Sequence, residues 1–262
     1  MSTAGGHFSA LLASSAIEPA ARIPVMVLTG FLGSGKTSLL NRLLRDPRMH
    51  GTAVLVNEFG EIGIDHDLVT ATHPDTILLA NGCLCCAVRG DLVAALVQLA
   101  QRSQPVAQVL VETSGLADPG PIVRTLVAEA SVRPHFVLSG IACTVDAVQG
   151  LATLQRHGEA ARQLAVADAI FLTKTDLLDG PPPPALLQHL RALNPAAALH
   201  GHPAGQPRAM RALLRLAPAA LMARQSEAAP AYRLAVQADA PATAALHDGG
   251  IRSFVIVRDE PL

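Results

Sequence analysis

The 262-residue chain has no tryptophan, one tyrosine and six phenylalanines, so aromatics make up only 3% of it. Proteins that read nucleic acid stack bases on aromatic side chains or present a basic face. Here 20 Lys and Arg face 21 Asp and Glu, for a net charge of −1. Nucleic acid is therefore not expected as a partner. Charged residues amount to 16% against 50% hydrophobic, which excludes a chain disordered throughout. No apolar run reaches the ~18 residues that a membrane span needs, so no membrane role is expected. Neither Lys nor Arg precedes Arg22, and residues 1–21 thus lack the positive start of a secretory signal. They read as a flexible extension. Cysteines number four, three of them in Cys83-Leu84-Cys85-Cys86, a spacing unlike a disulfide framework. In a reducing compartment such a cluster points to metal or redox chemistry, and the cytoplasm is the expected location.

What is present is a regular alternation. Apolar, β-branched runs predict strands at 23–28, 53–57, 76–79, 107–112, 136–145 and 168–173. Helical spacing predicts helices at 36–45, 89–102, 120–130, 155–165 and 184–193. In the second helix Leu92, Ala95, Leu96 and Leu99 share a face, and Asp91 is placed to cap its start. This order implies an α/β fold with a doubly wound, mostly parallel sheet, whose ligand lies at the carboxyl ends of the strands. A nucleotide-binding domain is expected over 22–203. A helical segment and an Ala/Pro-rich linker follow over 204–250, and a strand-like run over 251–262.

Gly30-Phe31-Leu32-Gly33-Ser34-Gly35-Lys36-Thr37 follows the first strand and opens a helix. This is the phosphate loop of nucleoside triphosphatases in its required setting. The glycines let backbone N–H groups turn toward a polyphosphate, Lys36 reaches the β- and γ-phosphates, and Thr37 offers a hydroxyl to Mg²⁺. Val109-Leu110-Val111-Glu112 is an apolar strand that ends in an acid, suited to the Mg²⁺ shell or to orienting water. Taken alone, Glu112 would equally be a solvated strand end. Phe171-Leu172-Thr173-Lys174-Thr175-Asp176 closes a later strand. A carboxylate in an [Asn/Thr]-Lys-x-Asp turn accepts from the guanine N1–H and exocyclic amine, so Asp176 favours GTP over ATP. Taken alone, the tetrapeptide would be an ordinary polar turn.

Asn57-Glu58-Phe59-Gly60-Glu61-Ile62-Gly63-Ile64-Asp65 lies where a switch loop near the γ-phosphate would run. Its acids suit Mg²⁺, a second metal or the attacking water. Three thiols within four residues suit a soft or borderline ion such as Zn²⁺, Co²⁺ or Cu⁺. Adjacent Cys85 and Cys86 are cramped for one tetrahedral ion, which leaves a place for Glu58, Glu61 or a histidine. Inert buried thiols and a Cys83/Cys86 redox pair are the competing readings. Cys143 reads as a small core residue. His200-Gly201-His202 reads as a solvated loop rather than a ligand pair, and His66 beside Asp65 is the more interesting histidine by position.

In order, GFLGSGKT at 30–37, NEFGEIGID at 57–65, GCLCC at 82–86, ETSGLADP at 112–119 and TKTD at 173–176 resemble the CobW-type metallochaperone GTPases over roughly residues 22 to 200. That resemblance implies a signal-recognition-like phosphate-loop fold, slow GTP hydrolysis with Lys36 and Glu112 at the reacting centre, and a GTP/GDP cycle; Glu61 is the further catalytic candidate, from its place in the 57–65 segment. It assigns Gly33, Ser34, Gly35, Lys36, Thr37 and Ser38 to the phosphates and Mg²⁺, with Thr173, Lys174 and Asp176 at guanine. It assigns Cys83, Cys85 and Cys86 to Zn²⁺ or Co²⁺, for delivery to a client metalloprotein or metal-cofactor enzyme; of the acids placed to add a ligand, Glu58 is the one expected. The family carries a second α/β domain, of which His247 to Val257 resembles only the opening strand. The C-terminal domain is therefore expected to be largely absent. A homodimer stays open. A regulatory protein with a structural metal and an ATP-dependent small-molecule kinase are the alternatives.

Overall fold

In a computed structural model, which describes residues 22–56, 76–78 and 87–201, the apolar run after Arg22 is the central strand β1 (Ile23–Gly30). It is followed by α1 (Lys36–Leu44), β2 (Thr52–Val56), β3 (Thr76–Leu78), α2 (Ala87–Ala100), β4 (Gln108–Glu112) and α3 (Gly120–Ala128). The second half runs β5 (Phe136–Asp146), α4 (Gly150–Arg156), α5 (Gly158–Ala165), β6 (Ala169–Thr173), α6 (Pro184–Leu193) and β7 (Ala198–His200). The sheet order is β3-β2-β4-β1-β5-β6-β7, and every pairing is parallel.

A parallel sheet covered on both faces needs strands that are apolar on both sides. Val25 to Leu28 in β1 and Ala53 to Leu55 in β2 are all fully buried. Met26 and Leu28 pack with Leu39, Leu40 and Leu43 of α1 on one face. Val25 and Val27 pack on the other with Leu92, Leu96 and Leu99 of α2 and Ile122 and Leu126 of α3. Cys143, Val145, Ile170 and Leu172 continue that second face beneath α4, α5 and α6. This doubly wound arrangement is the one expected from the sequence. No described helix is long and apolar enough to cross a membrane.

Three details differ from expectation. The helix expected over 155–165 corresponds to α5, and its first two residues instead end a separate helix, α4, which meets α5 at His157. Asp91 lies inside α2 and does not cap it, because the helix already begins at Ala87. His200 ends the short strand β7 rather than lying in a solvated loop, and its ring stacks on Phe171 at 4.9 Å. Burial lowers its pKa from the ordinary histidine value.

Candidate nucleotide and metal site

The end of β1 lies beside the ends of β4 and β5, where the chain winds in opposite directions. Open α/β sheets bind ligands at such a point. Here the chain turns through residues 30–37. Gly30, Gly33 and Gly35 all have positive φ, at 144°, 68° and 83°. Gly35 is the cap residue of α1, and a Cβ there would stand 3.2 Å from Thr173 Cβ. A side chain would thus meet both backbone strain and a neighbour.

Two anchors fix this loop to the strands beside it. Thr173 Oγ1 donates to the Ser34 carbonyl at 2.7 Å, with the Val145 carbonyl at 3.3 Å. The hydroxyls of Ser34 and Thr144 meet at 2.7 Å. Phe31 stacks on His157 at 4.6 Å, tying the first half of the loop to the junction of α4 and α5. Lys36 is buried and donates from Nζ to the carbonyls of Gly30 at 3.0 Å and Phe31 at 3.3 Å. Ser38 sits exposed in the first turn of α1.

Thr37 and Glu112 come together although 75 residues separate them: Thr37 Oγ1 donates to Glu112 Oε1 at 2.7 Å. Glu112 is 1% exposed at the end of β4. A hydroxyl and a carboxylate are hard oxygen donors of the kind Mg²⁺ accepts, so this pair fits the ion. Beyond Glu112 the chain is pinned to β1. The Thr113 N–H donates to the Leu28 carbonyl at 2.9 Å, and its hydroxyl donates to Thr29 Oγ1 at 3.0 Å.

At the end of β6, Lys174 adopts a left-handed backbone with φ 56°, the single non-glycine residue among those described to do so. Its ammonium pairs with Asp146 Oδ2 at 2.7 Å. Asp146 Oδ1 accepts from the N–H groups of Val148 at 2.7 Å and Gln149 at 3.0 Å. Burial pushes this carboxyl up, while the bonds from Lys174, Gln149 and Val148 together hold it below the usual carboxylate range. Asp176 is exposed in the turn Thr175–Leu177. Cys143 is buried beneath the loop, and burial pushes its thiol up to about 12, against a downward pull from the Lys36 charge.

The structure thus brings Gly33, Ser34, Gly35, Lys36, Thr37, Glu112, Thr173 and Lys174 to one end of the sheet. Cys83, Cys85, Cys86, Glu58, Glu61 and His66 lie outside the described residues. Among those described, no three His, Cys, Asp or Glu side chains stand together as a metal site. Sequence reasoning missed Asp146, although its signal is the one that marked Glu112: an apolar strand ending in an acid. It also missed Gln163, a buried polar residue in the apolar stripe of α5.

Comparison with known proteins places this geometry in context. The family model described as CobW/HypB/UreG, nucleotide-binding domain, matches residues 24–200. Zinc chaperone YjiA of Escherichia coli is 36% identical over 159 residues, covering 59% of this chain and 50% of that protein. The Schizosaccharomyces pombe protein named zinc-regulated GTPase metalloprotein activator 1 is 32% identical over 171 residues, covering 63% and 41%. This chain therefore spans about half the length of the curated relatives it matches, or less. The structure of hydrogenase maturation factor HypB from Archaeoglobus fulgidus superposes with a TM-score of 0.55 over 76% of this chain and 92% of that one. At 17% identity it shares the fold alone.

Proposed function

The chain belongs to the CobW/HypB/UreG family of nucleotide-binding domains, and we propose that it is a GTP-hydrolysing zinc chaperone. In this reading GTP and GDP occupy the phosphate loop, and zinc is the cargo, held by Cys83, Cys85 and Cys86 with Glu58 and passed to a client metalloprotein. The names of the relatives, two of which carry zinc and one GTPase, support zinc over cobalt.

The observation that carries the reading is a pair of bonds, one at the middle of the loop and one at its end. The Ser34 carbonyl is held by Thr173, at the start of the guanine-type turn, and the Thr37 hydroxyl is held by Glu112. These two bonds link the groups suited to base, phosphate and Mg²⁺. The backbone N–H groups at the start of α1 and the Lys36 ammonium bind and orient the phosphates. Thr37 and Glu112 would hold Mg²⁺, which when bound neutralises charge on the β- and γ-oxygens. Glu112 also orients the water shell, with Glu61 proposed beside the attacking water. Lys174 packs along the base while Asp176 accepts its N–H groups. Phosphoryl transfer asks chiefly for positioning and charge stabilisation, and this arrangement is built for both.

Phosphate release measured with GTP and with ATP in the presence of Mg²⁺ tests the proposal. GTP is the expected substrate, and Lys36→Ala is expected to abolish turnover. Equal turnover of ATP would reject the guanine assignment, and undiminished hydrolysis by the variant would place the activity elsewhere.

A further inference from the structure

Helix α5 carries apolar Ala160 and Leu164 toward the sheet, yet Gln163 between them is 1% exposed. Its Nε2 donates to the carbonyls of Gly115 at 3.1 Å and Ala117 at 2.9 Å. Both partners are acceptors only, which fixes the NH₂ end of the amide toward them. Its Oε1 is buried without a hydrogen-bond partner among the described residues. An apolar side chain would fill this place without burying that oxygen. The amide is thus committed to the five residues that follow Glu112.

The same segment is confined from its other side. A Cβ on Gly115 would stand 2.6 Å from Leu32 Cδ2 and 2.8 Å from both the Cα and the N of Leu32, so the chain here presses directly on the phosphate loop. Upstream, Thr113 is bonded to β1 through both its N–H and its hydroxyl. Residues 113–117 are therefore held between the loop and Gln163, and the segment begins at the acid bonded to Thr37. On its other side Gln163 borders a cavity of ≈ 250 Å³ that Leu32, Ser34, Asp146 and Lys174 also line, whereas Lys36, Thr37 and Glu112 do not. It touches the support of the reacting groups rather than the groups themselves.

We propose that Gln163 is a positioning residue for GTP hydrolysis. It sets the distance between residues 113–117 and the phosphate loop, so that Glu112 and the segment behind it stand ready for the γ-phosphate. Through it the position of α5 reaches the hydrolytic step. The proposal rests on the GTPase reading above. Its bonds go to the segment behind Glu112 and to neither Asp146 nor Lys174, so its loss should act on turnover more than on binding of the diphosphate.

The test compares Gln163→Leu and Gln163→Glu with wild type in kcat, KM for GTP, Kd for GDP and amide exchange of residues 113–117. For Gln163→Leu, kcat is expected to fall by about tenfold to a hundredfold, with KM and the GDP Kd within about threefold of wild type. Exchange is expected to rise over 113–117 and stay unchanged over α1. A glutamate donates to these carbonyls only when protonated, so the rate of Gln163→Glu relative to wild type should rise as pH is lowered. Wild-type kcat in Gln163→Leu, or equal losses in kcat and GDP affinity, would overturn the proposal. If Gln163→Leu fails to fold, a flat pH ratio for Gln163→Glu would overturn it. If wild type itself does not hydrolyse GTP, the function proposed above fails first. Unchanged exchange over 113–117 would then overturn the positioning role on its own.

Discussion

Lys174 adopts a left-handed backbone that costs a lysine about 1–2 kcal/mol. Its ion pair with Asp146 leaves the Lys174 side chain 39% exposed, and such pairs contribute at most ~1 kcal/mol. The ion pair therefore does not offset the strain alone, and the bonds of Thr173 to the Ser34 and Val145 carbonyls share in holding the turn. In the proposed function this strained turn would serve the base rather than the stability of the fold. Asp146→Asn should accordingly weaken GTP by about three- to tenfold and change stability at neutral pH by less than ~1 kcal/mol. The Asp146 carboxyl is held below its ordinary value of 3.8, so its stabilising effect is present above that value and is lost as pH falls through the lower folded value. Thermal unfolding at pH 7 and pH 3 should show the difference between wild type and variant narrowing in acid. In the proposed base site Asp176 would supply a hydrogen-bonded charge, worth on the order of 1.5–3 kcal/mol. Asp176→Ala should therefore weaken GTP by roughly ten- to a hundredfold in a nucleotide titration, and an unchanged Kd would remove it from the base site.

At the scale of elements, β5 does two jobs. Its interior buries Cys143 against the helices of the second half, and its last residue, Asp146, reaches the site. With its thiol pushed up to about 12, Cys143 stays protonated near neutrality and away from solvent. Alkylation at pH 8 followed by mass spectrometry should leave Cys143 unmodified in the folded protein and modified after denaturation. Labelling of the folded protein would contradict its burial. The expected strands match because a doubly covered parallel sheet leaves long apolar β-branched runs such as Val25–Leu28. Residues 198–200 escaped notice, since three residues at a sheet edge show no period. Most of helix α4 escaped notice; its first residue, Gly150, stands with its Cβ position 2.6 Å from Val145 Cγ1, a close packing that only the fold creates. The phosphate loop was legible because its chemistry is local. Asp146 carried the strand-end signal of Glu112, but its pairing with Lys174, like that of Gln163 with Gly115, is created only by the fold.

For the whole molecule, the sheet places the acid-bearing end of β4 between β1, which carries the phosphate loop, and β2, which leads into residues 57–65. The proposed zinc ligands follow β3, the next strand out. In the proposed cycle a γ-phosphate that orders residues 57–65 would bring Glu58 or Glu61 toward the thiolates of Cys83, Cys85 and Cys86, and hydrolysis would release the ion. Coupling between two ligands is reciprocal and typically amounts to ~1–3 kcal/mol, or about 5–150-fold in affinity. The most direct test is a Zn²⁺ titration of the full chain with Mg²⁺ and either GDP or a non-hydrolysable GTP analogue, repeated on Cys85→Ala. Zinc affinity is expected to be about 5–150-fold higher with the analogue and to collapse in the variant. Identical affinity in both nucleotide states would contradict a GTP-driven chaperone and reduce the cysteines to a structural site.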